Sequence, residues 1–179
     1  MRRAGPGGVR FLKSQAEAES ATKRKYLAIA SLVAIKLADE DVIGYALGAF
    51  RSADPGWKEA SLDWFVSLKH FPLKRSEVER LLAAGGETQA GAMLYLSHAY
   101  PAEAARILGD GLRSSEKWVR GTAASEAGFR NIRELRTQVA GLLDDEDAYV
   151  ARAAQIGIEM LDLYDRYPED RPLIDDDKE

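Results

Sequence analysis

The stretch Leu112-Arg113-Ser114-Ser115-Glu116-Lys117-Trp118-Val119-Arg120-Gly121-Thr122-Ala123-Ala124 reads as a helix end, a polar turn and the start of a second helix. Leu142-Leu143-Asp144-Asp145-Glu146-Asp147-Ala148-Tyr149-Val150-Ala151-Arg152-Ala153-Ala154 lays the same order out again. Ala123 and Ala154 are 31 residues apart, and the same step backwards reaches Ala92, Ser61 and Ala30, all small. Four residues further on, Ala34, Phe65, Leu96, Ala127 and Ile158 form an apolar column, and Phe50, Leu81, Leu112 and Leu143 form another. A fixed period of this length marks stacked supersecondary units that share a continuous core. The expected fold is therefore all-α, an α-solenoid of about five helical hairpins rather than a single-core globule.

Within each repeat the first helix carries most of the pattern. Trp57, Ser61, Trp64, Phe65 and Leu68 recur at the spacing of one helix face, as do Tyr26, Ala30, Val33, Ala34 and Leu37, and Val150, Ala154, Gly157, Ile158 and Leu161. His70-Phe71-Pro72 stops one first helix, because the residue before a proline avoids helical backbone. Shorter second helices are expected over residues 76–84, 101–112 and 132–143, with Val78, Leu81 and Leu82 turned inward. Period-two alternation and hairpin turns of the Asn-Gly type are absent from the sequence, so no strands are expected.

The leucines, the acidic turn, the Val-Arg of residues 119–120 and the paired alanines of residues 112–161 resemble the HEAT repeat in its bacterial, phycobilisome-lyase-like form. Upstream the pattern thins: Thr88-Gln89 stand where Val-Arg would be, and in the last repeat the arginine has moved to Arg152. The resemblance implies a right-handed α-α superhelix with its second helices on the concave side. It also implies that Arg120 and Arg152 pair with turn aspartates such as Asp145 and Asp147 or cap nearby carbonyls. The organisation expected is a flexible basic leader over 1–18, a HEAT-like solenoid over 19–164 and an acidic disordered tail over 165–179.

Charge is unevenly placed. The chain carries −4 overall, but residues 1–36 hold eight basic and two acidic side chains, a net +6, and residues 159–179 hold three and nine, a net −6. Such ends are either two solvated tails or a means of weak head-to-tail association of otherwise monomeric chains. There is no cysteine, which excludes disulfides, zinc knuckles and thiol nucleophiles and agrees with a cytoplasmic location. The longest apolar stretch, Tyr26 to Leu37, is interrupted by Ser31 and Lys36, so no membrane span is expected.

Chemistry finds little footing. His70 and His98 are the only histidines, and neither has a metal-ligand partner at fixed spacing on its own helix. The run Asp144-Asp145-Glu146-Asp147 would need a glycine and a glutamate where Val150 and Ile156 stand to be a calcium loop. Nucleophile elbows, phosphate loops and dinucleotide fingerprints do not occur. No catalytic residue, metal or cofactor is expected.

The second helices offer more. Arg75 and Arg106 lie one repeat apart, and Arg80, Arg113, Arg133 and Arg136 belong to the same set of helices. A row of guanidinium groups suits carboxylates or phosphates, which arginine grips in bidentate fashion. Interleaved Glu77, Glu79, Asp110 and Glu134 allow the plainer reading of a mixed solvated face. Trp57 and Trp118 open first helices in the same register, either as staples on the preceding repeat or as contacts for a partner.

Two functions follow. The first is a non-enzymatic protein-binding scaffold or adaptor engaging another protein through the concave second-helix face, a role that would suit a bacterial immunity protein that neutralises a toxin domain. The second rests on the HEAT-like stacks of alkylation-repair glycosylases and casts Trp57, Trp64 and Trp118 against nucleic acid, with Asp63 as the acid. A net-negative chain with interrupted basic stripes argues against that second role, since a nucleic-acid groove is strongly positive.

Overall fold

The structure is a computed structural model that describes residues 6–17 and 23–170. Among the described residues it is entirely helical, with ten α-helices joined by short turns and no strand. In chain order these are α1 (Pro6–Ala16), α2 (Lys23–Ala34), α3 (Glu40–Phe50), α4 (Pro55–Leu68), α5 (Arg75–Glu79), α6 (Gly86–Ala99), α7 (Ala104–Gly111), α8 (Lys117–Phe129), α9 (Arg136–Ala140) and α10 (Ala148–Arg166). Single 3-10 turns extend α5 (Arg80–Ala83), precede α7 (Pro101–Glu103) and α9 (Arg133–Leu135), and follow α10 (Pro168–Asp170).

Two compact units divide the chain, one up to Pro72 and one from Leu73 onward. In the first, α2 packs on α4, α3 touches both, and α1 lies on α2. Its core contains Ile29, Leu32, Val42, Leu62 and Phe65, all fully buried. In the second, α6 packs on α8 and α8 on α10, while α7 touches α6 and α8, and α9 touches α8 and α10. Its core is built from Met93, Leu108, Leu112, Val119, Ala123, Ala127, Val139 and Ala154.

Local sequence explains where helices start and stop. The Asp39 carboxylate accepts the Val42 N–H at 3.0 Å to cap α3, and the Asp54 carboxylate accepts the Gly56 N–H at 2.9 Å ahead of Pro55 in the first turn of α4. The first-helix ends repeat. After α2, α4 and α8 the chain turns through left-handed backbone at Lys36 (φ 58°), Lys69 (φ 52°) and Asn131 (φ 55°). In each case the next residue's N–H bonds the carbonyl five back: Leu37 to Leu32, His70 to Phe65 and Ile132 to Ala127. Helices α6 and α10 end differently, at Tyr100-Pro101 and Tyr167-Pro168. Both tyrosines have φ near −127° and donate their N–H four residues back, and both lead into a 3-10 turn.

The 31-residue column of small residues is a packing column: Ser61, Ala92, Ala123 and Ala154 are fully buried. The apolar column is buried at Phe65, Leu96 and Ala127 but exposed at Ala34, the last residue of α2. Leu143, in the third column, is 41% exposed, because α9 stops at Ala140.

The ends of the chain hold more structure than a leader and a tail. Residues 6–16 form α1, which buries Ala16 and places the Lys13 ammonium 2.7 Å from Asp39 and 2.6 Å from Asp41. Asp165 and Arg166 continue α10, because Arg133 and Arg136 hold the carboxylates of Asp162 and Asp165. Residues 1–5, 18 and 171–179 of the expected leader and tail lie outside the described residues.

Candidate protein-binding groove

The second unit contains a cavity of about 420 Å³ beside α5, α6 and α7. Its floor is apolar, made by Leu82, Met93, Leu96, Ile107 and Val119. Met93, Leu96 and Val119 are core residues, whereas Leu82 and Ile107 are partly exposed against that core. Gly111 sets how closely α7 lies on its neighbours. A Cβ there would stand 2.3 Å from the Met93 sulfur and 3.0 Å from the Ala123 Cβ.

The rim is charged and internally paired. Arg75 opens α5 and reaches Glu103, one repeat away, with Nη1–Oε1 at 2.6 Å and Nη2–Oε2 at 3.0 Å. Its Nε donates to Glu79 at 2.7 Å, and its guanidinium lies 4.7 Å from the centre of the Tyr100 ring. Arg106 grips the same Glu103 from the other side and stands 3.6 Å from Asp110. Hydrogen bonds from Arg75 and then Arg106 hold the Glu103 carboxyl at about 2, below its usual 4.5, while Glu103 and Glu79 raise Arg75. Glu103 thus locks two guanidinium groups side by side at the mouth of an apolar cavity.

The other expected residues fall elsewhere. Arg113 bonds Asp110 at 2.6 Å and Gln138 at 3.2 Å, one step along the same edge. Arg133 and Arg136 form a separate cluster with Asp162 and Asp165 on α10. The Arg80 Nε donates to the Ser76 carbonyl at 3.1 Å. Trp118 packs on Tyr149, ring centres 4.8 Å apart, at the start of α8, and Lys117 stands 5.4 Å from its ring. Trp57 belongs to the first unit, in a cluster with Tyr26 and Trp64. Arg75 and Arg106 line one cavity together, whereas Trp118 and Trp57 each border a different concavity.

The sequence reading did not find Glu103, Tyr100 or Ile107, and it placed Leu82 in the core rather than in a groove. A signal for Glu103 existed: it stands 28 residues after Arg75, close to the repeat length, as do Asp41 after Lys13, Tyr45 after Glu17 and Glu126 after His98. His98 illustrates the point, since its partner lies not on its own helix but on α8, with Nε2 2.7 Å from Glu126 Oε1. Among the described residues no group of acids and histidines could hold a metal ion. No described helix is long and apolar enough to cross a membrane. Arg120 pairs with Asp145 through two bonds of 3.0 Å, and its Nη1 donates to the carbonyls of Ser114 (3.0 Å) and Ser115 (2.9 Å).

No family model matches this chain, and no curated protein matches it. Among solved structures it is similar to the crystal structure of an engineered protein. That alignment covers 88% of this chain and 80% of the other at 15% identity, with a TM-score of 0.46.

Proposed function

We propose that the chain is a HEAT-like right-handed α-solenoid acting as a non-enzymatic protein-binding scaffold or adaptor, with the α5–α7 groove as its docking site. The observation that carries this reading is the Glu103-bridged pair Arg75 and Arg106 standing over an apolar cavity. An apolar floor supplies affinity when a partner side chain enters it, and a paired polar rim supplies orientation at little desolvation cost. Repeats about 31 residues long whose helices pack on their neighbours within each unit support the stacked arrangement. A cytoplasmic protein of this kind would serve as an adaptor in an assembly or as an immunity protein covering a toxin domain. Nucleic acid is the weaker occupant, because phosphates would have to displace the carboxylates that already hold five of the six second-helix arginines.

A photo-crosslinking side chain at Gln89, which lines the groove, tests the reading. In native lysate it should join the chain to one protein, and Arg106→Glu should abolish the adduct while leaving the far-UV spectrum unchanged. No adduct above that formed from exposed Gln155 on α10 would overturn the assignment.

A further inference from the structure

Helices α1 and α2 of the first unit lie side by side, and both turn apolar side chains to solvent. Phe11 on α1 is 61% exposed, more than any other large apolar side chain described, and Leu27 on α2 is 52% exposed. Lys23, Leu27, Ser31 and Ile35 follow at four-residue steps, which puts them on one side of α2, opposite the buried Ile29, Leu32 and Val33. Ile35 stays in the row because its N–H still bonds the Ser31 carbonyl at 3.2 Å. On α1, Arg10, Phe11 and Ser14 are exposed while Ala16 is buried. The serines of both faces donate within their own helices. Ser14 gives its hydroxyl hydrogen to the Phe11 carbonyl at 2.8 Å and Ser31 to the Leu27 carbonyl at 2.7 Å, so neither donor is orphaned when water is removed.

Every charged side chain on these two helices is positive. Arg10, Lys23 and Arg24 are exposed, and no described ion pair holds them, whereas Lys13 is engaged by Asp39 and Asp41. The described acids of this unit stand elsewhere. Glu17, just beyond α1, accepts the Tyr45 hydroxyl of α3, and the rest open α3 or belong to α4 and its N-cap. Lys23 and Arg24 occupy the first turn of α2, where the helix's own field opposes cations, so helix stability does not account for them.

We propose that the outward faces of α1 and α2 rest on the surface of an anionic lipid bilayer. Phe11, Leu27 and Ile35 enter the interface, and Arg10, Lys23 and Arg24 meet the headgroups. Apolar side chains and a cluster of cations are the two signals that together hold a helix reversibly at such a surface. Interleaving of the two kinds favours lipid over protein. The core of a protein interface is depleted of charge, whereas lysine and arginine beside a bilayer lay their stems along the apolar region and keep their heads among the phosphates. Leu27 and Ile35 also have no counterpart on a nucleic-acid backbone, which is bound by cations and by aromatic stacking. Lying on a bilayer needs none of the length and apolarity that crossing one would.

The test uses the full chain and extruded vesicles, either phosphatidylcholine mixed with phosphatidylserine or phosphatidylcholine alone, read by co-sedimentation. Partition onto the mixed vesicles that weakens with salt is expected, with little onto phosphatidylcholine. Removing one cation beside an anionic bilayer weakens partition about fivefold, so Arg10→Gln, Lys23→Gln and Arg24→Gln should each do so. Arg113→Gln removes the same charge from the second unit and should leave partition unchanged. Phe11→Gln and Leu27→Gln should each lower it at least about fivefold, by taking apolar surface out of the interface. Both side chains are exposed, so these two variants should keep the parent's thermal midpoint. No partition onto the mixed vesicles, equal partition onto phosphatidylcholine alone, or partition that neither Phe11→Gln nor Leu27→Gln lowers overturns the proposal. So does a single-stranded oligodeoxynucleotide that binds more tightly than the vesicles and loses affinity in Arg24→Gln. Vesicles supply no protein partner, so this result and that of the Gln89 crosslink are separate.

Discussion

Gly128 of α8 and Gly157 of α10 meet backbone to backbone: a Cβ on Gly128 would stand 2.4 Å from the Gly157 Cα and 2.4 Å from its carbonyl oxygen. On the other side, a Cβ on Gly157 would stand 2.3 Å from the Ala124 carbonyl oxygen. Neither obstacle is a movable side chain, so a methyl group at either position must push two helices apart. Gly128→Ala should therefore cost about 2–3 kcal/mol in urea unfolding, the upper part of the range for overpacking a tight contact. Gly44→Ala, on a helix face with nothing nearby, should instead stabilise by about 0.5–1 kcal/mol, because it removes glycine's entropy cost in a helix interior.

That contact also shows what was legible in the sequence. The 31-residue column of small residues marked positions that are fully buried at Ser61, Ala92, Ala123 and Ala154, because a repeated packing position needs small side chains at a fixed register. Gly128 and Gly157 lie outside that column, so the closest approach was not readable from periodicity. The arginines of the candidate groove were found by spacing, but their charge state was not. Glu103 sits in a 3-10 turn after Pro101, and nothing in its local sequence says that Arg75 and Arg106 converge on it. Likewise, the α1 segment has a glycine-rich start, and only the pairing of Lys13 with Asp39 and Asp41, 26 and 28 residues away, reveals why it is held.

Acid titration should report the Glu103 link. Its folded-state carboxyl titrates at about 2 against 4.5 for the unfolded chain, so the unfolded state takes up the proton first as pH falls. The stabilisation is thus complete above about pH 4.5 and is lost between there and about pH 2. Urea midpoints measured across that window should fall less steeply in Glu103→Gln than in the parent chain. Equal slopes in the two proteins would show that the paired rim contributes nothing to the folded state.

The Arg120–Asp145 pair should weigh more than any of the groove arginines. Its side chains are only 14% and 9% exposed, and Arg120 also satisfies two carbonyls of the turn before α8. Arg120→Ala leaves Asp145 half-buried with only the Asp147 N–H as a described partner, and leaves both carbonyls short of a donor. A loss of about 2 kcal/mol is expected, below the full cost of breaking a deeply buried pair because solvent still reaches the edge. Arg113→Ala, with its side chain 64% exposed, should change stability by less than about 0.5 kcal/mol. Chemical denaturation of the two variants side by side separates a structural arginine from a surface one.

Lys69 occupies a position that glycine would fill better. It follows α4 with φ 52°, donates its N–H to the Val66 carbonyl at 3.1 Å, and lets His70 bond Phe65 at 3.0 Å. Left-handed backbone brings a Cβ too close to the following carbonyl oxygen, at a cost of roughly 1–2 kcal/mol for an L-residue. Glycine avoids that strain but loses more entropy on folding, which returns part of the gain. Lys69→Gly should therefore stabilise by about 0.5–1 kcal/mol, with the helix content of the far-UV spectrum unchanged. Lys36 sits in the same conformation after α2, yet its ammonium also donates to the Ser67 carbonyl at 2.7 Å, so Lys36→Gly gives up a hydrogen bond and should gain less. A larger gain at Lys36 than at Lys69 would mean that the Lys36–Ser67 bond does not form in solution.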